Sequence, residues 1–153
     1  MDANPENTTL LVRDALAASL ADRFIGLVLF GSRARGDHSG LSDWDLLLVA
    51  EGLPERVFAR HCFLVAALPP KLRGSVSIIA RTPAEFAVQK SPLFLDIATD
   101  GQILHDPAGV VRARLETLRR WADSAGLRRR QDEAGIQWLA ADPSPLSWLK
   151  RGA

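Results

Sequence analysis

The stretch from Leu29 to Val49 constrains this chain more than any other. An apolar run, Ile25 to Phe30, reads as a buried strand, and Gly31-Ser32 stands at its end. After ten intervening residues, Ser32 is followed by Asp43-Trp44-Asp45, which lead into a second apolar run, Leu46 to Val49. Acids at i and i+2 of a strand point to one face, and the residue between them points to the other. Two strands of one sheet can therefore bring a glycine-serine turn and a carboxylate pair to one place, with Trp44 turned away into packing.

That pairing has a chemical meaning. A nucleoside triphosphate needs backbone that can approach its phosphates closely, which glycine allows. It also arrives with Mg²⁺, a hard ion that takes carboxylate and phosphate oxygens. Asp43 and Asp45 on one face can bridge such ions, and paired ions serve in-line displacement at phosphorus. Ser32 can add a hydroxyl contact. Arg33 and Arg35, at the start of a short helix after the turn, can add charge-assisted contacts to phosphate.

The run Gly31-Ser32-Arg33-Ala34-Arg35-Gly36, followed by Ser42-Asp43-Trp44-Asp45-Leu46, resembles the signature of the minimal nucleotidyltransferases of the DNA polymerase beta superfamily. The resemblance implies an α/β (α+β) fold, a small mixed sheet flanked by helices, with two Mg²⁺ ions and transfer of a nucleoside monophosphate. It implies Asp43 and Asp45 as catalytic residues and metal ligands, and Gly31, Ser32, Arg33 and Arg35 as nucleotide-binding residues. From Thr82 to Arg130 the chain is also similar, less specifically, to the second half of small stand-alone members. The shared pattern there is Thr-Pro, then Ser-Pro-Leu-Phe-Leu-Asp, then Gly-x-Ile-Leu-x-Asp. Such proteins are often paired with a helical HEPN-domain toxin and act as its antitoxin, some by adding AMP to a tyrosine. This chain has no tyrosine, so a tyrosine acceptor would belong to another molecule. The family usually carries a third carboxylate on the next core strand, and the matching position here is Ser77.

The chain has 153 residues, 47% of them hydrophobic, which is the size and content of one domain with a core. Its net charge of +1 gives no global field for nucleic acid or membrane. The single cysteine, Cys62, excludes an intrachain disulfide. The polar start is no signal peptide and no apolar run spans a bilayer, so a cytoplasmic protein is expected.

Along the chain, Asn4 to Asn7 reads as a loosely held start, and Thr8 or Thr9 as the cap of a helix ending near Arg23. Asp37-His38-Ser39-Gly40 is turn chemistry, with His38 an exposed loop histidine. A helix from about Pro54 to Leu68 carries Arg56, Arg60 and His61 outward and Cys62 as a small core residue. Val76 to Ala80 is the third strand. Thr82-Pro83-Ala84-Glu85 is a capping box. Leu93, Phe94, Ile97 and Ala98 form an apolar stripe on a further helix, one that exceeds what so small a body can cover. Residues 102–105 suit an edge strand, and Asp106-Pro107 opens the longest helix, which ends near Gly126. The basic run Leu127 to Arg130 reads as a solvated connector. Residues 8–126 are expected to form the nucleotidyltransferase domain and 127–153 a C-terminal tail, whose Trp138 and Trp148 suggest docking onto the body or another chain.

Three functions follow. The first is an Mg²⁺-dependent transferase moving AMP, or another nucleotide, from a triphosphate (ATP above all) to a hydroxyl, as an antitoxin modifying or neutralising a HEPN toxin, in a hetero- or homo-oligomer. The second is a catalytically impaired relative that binds and blocks a partner, which Ser77 favours. The third is a small-molecule transferase, which would need a substrate domain that this chain supplies only by dimerising.

Overall fold

The computed structural model describes the backbone of residues 5–140. At its centre are β1 (Phe24–Phe30) and β2 (Trp44–Ala50), antiparallel to each other. The strand β4 (Gln102–His105) pairs antiparallel with the other edge of β1, and β3 (Val76–Arg81) pairs parallel with β2. The order is β3-β2-β1-β4, the mixed sheet that the family resemblance implies. A parallel return needs a crossover, and α3 (Val57–Ala67) supplies it between β2 and β3. The two central strands are near-continuous apolar runs because helices cover both faces of the sheet.

Alternate residues divide between those faces. Leu27, Leu29, Trp44, Leu46 and Leu48 pack with Val12, Leu16 and Leu20 of α1 (Pro5–Leu20) and Leu64 of α3. Val28, Phe30, Leu47 and Val49 pack on the other face against α4 (Pro83–Ala87), α5 (Pro92–Asp100) and α6 (Val110–Ser124). The short helix α2 (Gly31–Arg35) continues directly from β1. The capping box of α4 is present, with Thr82 and Glu85 bonded to each other's backbone N–H. Glu85 also takes a two-pronged contact from Arg60, at 2.8 and 3.0 Å. That hydrogen bond leads the influences that hold the Glu85 carboxyl down to about 2.

Several expectations need correction. The first helix begins at Pro5, so Thr8 is buried inside it at 2% exposure rather than capping it. Cys62 is exposed, not a core residue. The α5 stripe is covered by the chain itself: Phe94, Leu95, Ile97 and Ala98 are buried and only Leu93 is partly open. The helix α6 starts at Val110, later than Pro107, because Asp106 accepts from the Val111 and Arg112 N–H groups at its first turn. At 15 residues it is one shorter than α1.

The basic run is no connector. It is β5 (Leu127–Asp132), which forms a hairpin with β6 (Gly135–Ala140). Trp138 docks onto the body, donating from Nε1 to Asp96 Oδ1 at 2.9 Å. Trp148 lies outside the described residues. Among the described residues no helix is long and apolar enough to cross a membrane.

Candidate active site

The site forms where β1 ends. Gly31 has φ +75°, a left-handed conformation that a side chain would strain. A Cβ built on it would lie 2.6 Å from Asp45 Oδ2. Two independent reasons thus demand glycine at this position: the backbone turn and the carboxylate beneath it. Ser32 follows, and its carbonyl accepts from Gly36 and Asp37 N–H, closing α2 after little more than one turn.

Asp45 is the second residue of β2, opposite Phe30 on β1 and beside Ser77 on β3. Its alternation with Leu47 and Val49 puts it on the face that carries α4, α5 and α6. Asp43 is exposed and lies just before the strand. Burial raises the Asp45 carboxyl above the usual range, the Asp43 charge raises it further, and Arg35 acts in the opposite direction. The two acids and Arg35 therefore share one electrostatic neighbourhood. Arg35 Nε also donates to Asp37 Oδ2 at 3.1 Å.

Arg33, expected at the nucleotide together with Arg35, makes contacts that Arg35 does not. Its Nε and Nη2 donate to the Ser42 carbonyl at 2.9 and 2.7 Å, and its guanidinium carbon lies 4.2 Å from the centre of the Trp44 ring. Trp44 is buried on the opposite face of the sheet from Asp45, as predicted. His38 is exposed in its loop, also as predicted.

Two anchors were not legible beforehand. Trp44 N–H donates to the Ser75 carbonyl at 2.8 Å, tying the acid pair to the start of β3. Gln102 Nε2 donates to the Ala34 carbonyl at 2.9 Å, tying α2 to β4. Both acceptors are backbone carbonyls remote in sequence, so no residue pattern announces them.

Ser77 is the direct neighbour of Asp45 across the parallel pair, and it is exposed. The place where the resemblance expects a third carboxylate thus offers a hydroxyl. Glu51 follows the far end of β2, and Glu85 follows the far end of β3, where Arg60 and the Thr82 N–H hold it. Neither is at the Asp45 end of the sheet. Among the described residues, no three His, Cys, Asp or Glu side chains gather as a metal site. A pair of mutually repelling carboxylates does suit a divalent ion carried by a triphosphate. Such ions take one or two carboxylates and complete their shell with phosphate oxygens and water.

A family profile described as a nucleotidyltransferase domain matches residues 14–98. A Methanocaldococcus jannaschii protein, provisionally named a protein adenylyltransferase, is 32% identical over 102 residues, covering 64% of this chain and 69% of its own length. Among solved structures, a toxin–antitoxin complex with AMP-PNP contains a chain that superposes with a TM-score of 0.54 at 15% identity, covering 76% of this chain and 90% of that one. A second, a tri-AMPylated Shewanella oneidensis HEPN toxin in complex with its MNT antitoxin, gives 0.50 at 16% identity, covering 76% and 87%. At these identities the structures speak for the fold.

Proposed function

The chain belongs to the nucleotidyltransferase-domain family, and on that premise we propose that it transfers AMP from ATP, or another nucleoside monophosphate from its triphosphate, to a hydroxyl acceptor. The observation that carries this reading is the contact between the Gly31 turn and Asp45. It sets a bare backbone, able to lie against phosphate, directly over a carboxylate able to share the phosphate's cation. Gly31 and Ser32 then hold the triphosphate, Arg35 adds positive charge, and Asp43 with Asp45 hold Mg²⁺. The ion, when bound, screens the phosphate charge that would repel an incoming oxygen. The acceptor oxygen forms a bond to the α-phosphorus, the bond from that phosphorus to the bridging oxygen breaks, and pyrophosphate leaves. The acceptor proton has no carboxylate at Ser77 to receive it, so it passes to solvent or to a base of the acceptor molecule.

The name of the Methanocaldococcus jannaschii relative supports AMP and a protein acceptor. The toxin–antitoxin neighbours support a helical toxin of the HEPN type as the protein that is modified or neutralised. Residues 8–126 serve as the catalytic unit, with 127–153 appended to it, and the cytoplasm is the expected compartment. A second reading, in which the chain binds and blocks that partner without modifying it, is favoured by Ser77 beside Asp45.

The test is calorimetry of ATP with and without Mg²⁺. Binding is expected to depend on Mg²⁺ and to fall sharply when Asp43→Asn and Asp45→Asn are combined. Equal affinity with and without both acids would sink the reading.

A further inference from the structure

Asp43 stands outside the strand, is exposed, and precedes the first residue of β2. A carboxylate in that position is free to swing unless the peptides on either side of it are held. Both are. The peptide after Asp43 is fixed by the Trp44 N–H, which donates to the Ser75 carbonyl at 2.8 Å. The peptide before it is fixed by Arg33, whose Nε and Nη2 both donate to the Ser42 carbonyl at 2.9 and 2.7 Å. The Arg33 guanidinium carbon itself lies over the Trp44 ring, 4.2 Å from its centre. A planar guanidinium can bond through its edge and stack through its face at once. The Ser42 side chain adds a third restraint, accepting at Oγ from the Ser39 N–H at 3.1 Å.

The geometry points to Arg33 as a positioning residue that sets the direction of the Asp43 carboxylate, rather than as a ligand of the triphosphate. This rests on the proposed role of the acid pair in holding Mg²⁺. Arg33 lies on α2, the same short helix that presents Gly31 and Ser32. The phosphate-binding turn and the leading acid are therefore joined by one side chain across the loop 36–42. Arg33 and Arg35 divide the labour accordingly: Arg35 acts on Asp45 through its charge, while Arg33 acts on Asp43 through the backbone.

The test uses Mn²⁺ as the ion, read by electron paramagnetic resonance, with α,β-methylene-ATP as a non-reacting nucleotide. Loss of a group that orients a metal ligand typically costs 10–100-fold in metal affinity. R33A is expected to weaken Mn²⁺ by about that factor while leaving the affinity for the analogue without metal unchanged. R33K is expected to fall between wild type and R33A. Lysine retains one donor and a cation over Trp44 but loses the two-pronged fork. R33K carries the comparison alone if R33A does not fold. Wild-type Mn²⁺ affinity in R33A, or in R33K where it stands alone, would overturn the inference. So would an equal loss of metal-free analogue binding, which would make Arg33 a phosphate ligand. Neither outcome touches the acid pair. If D43N combined with D45N leaves Mn²⁺ binding intact, the reading beneath this inference fails with it.

Discussion

If the chain carries out the proposed transfer, Ser77 is the residue on which its rate is expected to turn. A third carboxylate at that position would add a ligand near the attacking oxygen and accept its proton, and general-base assistance is worth roughly 10²–10⁴-fold in rate. Serine offers neither charge nor basicity. The natural protein is therefore expected to transfer AMP weakly, and Ser77→Asp to raise single-turnover transfer of labelled AMP to the true acceptor. Ser77 is exposed, so the added carboxylate has access to water and need not disturb packing. Robust transfer by the unmodified protein, with loss in Ser77→Asp, would place the base elsewhere. Much of this site was legible in the sequence. Glycine before the turn and acids at i and i+2 are demands of backbone geometry and charge, and both appear as residue types at fixed spacing. Ser77 was singled out by the family resemblance alone, and the parallel register sets it beside Asp45. What the sequence did not separate was Arg33 from Arg35. Two arginines on one turn of helix look alike on paper, and only the Trp44 ring and the Ser42 carbonyl distinguish them.

At the scale of elements, the hairpin of β5 and β6 was missed and its reason is physical. Strand reading looks for alternation of apolar and polar residues, and Leu127-Arg128-Arg129-Arg130 shows none. The alternation is present in burial instead. Leu127 and Arg129 are turned inward and partly covered, while Arg128 and Arg130 are less shielded. Arg129 can face the body because acids await it. It donates to Asp100 at 2.9 and 2.5 Å and lies 3.4 Å from Asp96, where Trp138 also bonds. These contacts seat the hairpin on α5, beside a cavity of about 310 Å³ lined in part by Leu95, Arg119 and Trp138. The arginine and both acids are each only about a fifth to a quarter exposed. Hydrogen bonds to charged groups contribute about 1.5–3 kcal/mol when both partners are held. Arg129→Ala is expected to cost about 2 kcal/mol locally. Hydrogen exchange should show residues 127–140 losing protection while β1 and β2 keep theirs. Uniform loss across the sheet would mean that the hairpin and the body unfold as one unit.

For the whole molecule, among the described residues, neighbouring exposed apolar side chains stand on α3, while the α5 stripe is mostly covered. Val57 is 85% exposed and Phe58 78%, with Cys62 also outward on the same helix. Leu64 is the α3 residue that is fully buried. A helix this apolar with so little of it covered is unusual on a lone chain, since contiguous exposed apolar surface commonly marks a contact with another protein. The helix flanks β3, an edge strand whose outer side borders a cavity of about 600 Å³. Part of that edge is already closed. Arg60 Nη1 donates to the Ala80 carbonyl at 3.2 Å, and Arg81 Nη1 to the same oxygen at 2.8 Å. Strand pairing at the Ala80 end is thereby discouraged, which leaves side-chain packing on α3 as the means of association. A tyrosine acceptor for the proposed transfer would belong to a second molecule, because these 153 residues contain no tyrosine. Phe58→Glu tests whether α3 is where that molecule sits. The side chain is exposed, so the substitution is expected to change stability by less than about 0.5 kcal/mol. It also stands on the far side of the sheet from Asp45, so Mg²⁺-ATP binding should be unchanged. Association is the property expected to fall, read as the mass by light scattering and as recovery of the native partner. A wild-type chain that is monomeric and recovers no partner would remove the need for such a surface. Equal recovery by wild type and Phe58→Glu would move the interface off α3, and the Arg128, Arg130 and Leu139 side of the hairpin would be the next surface to test.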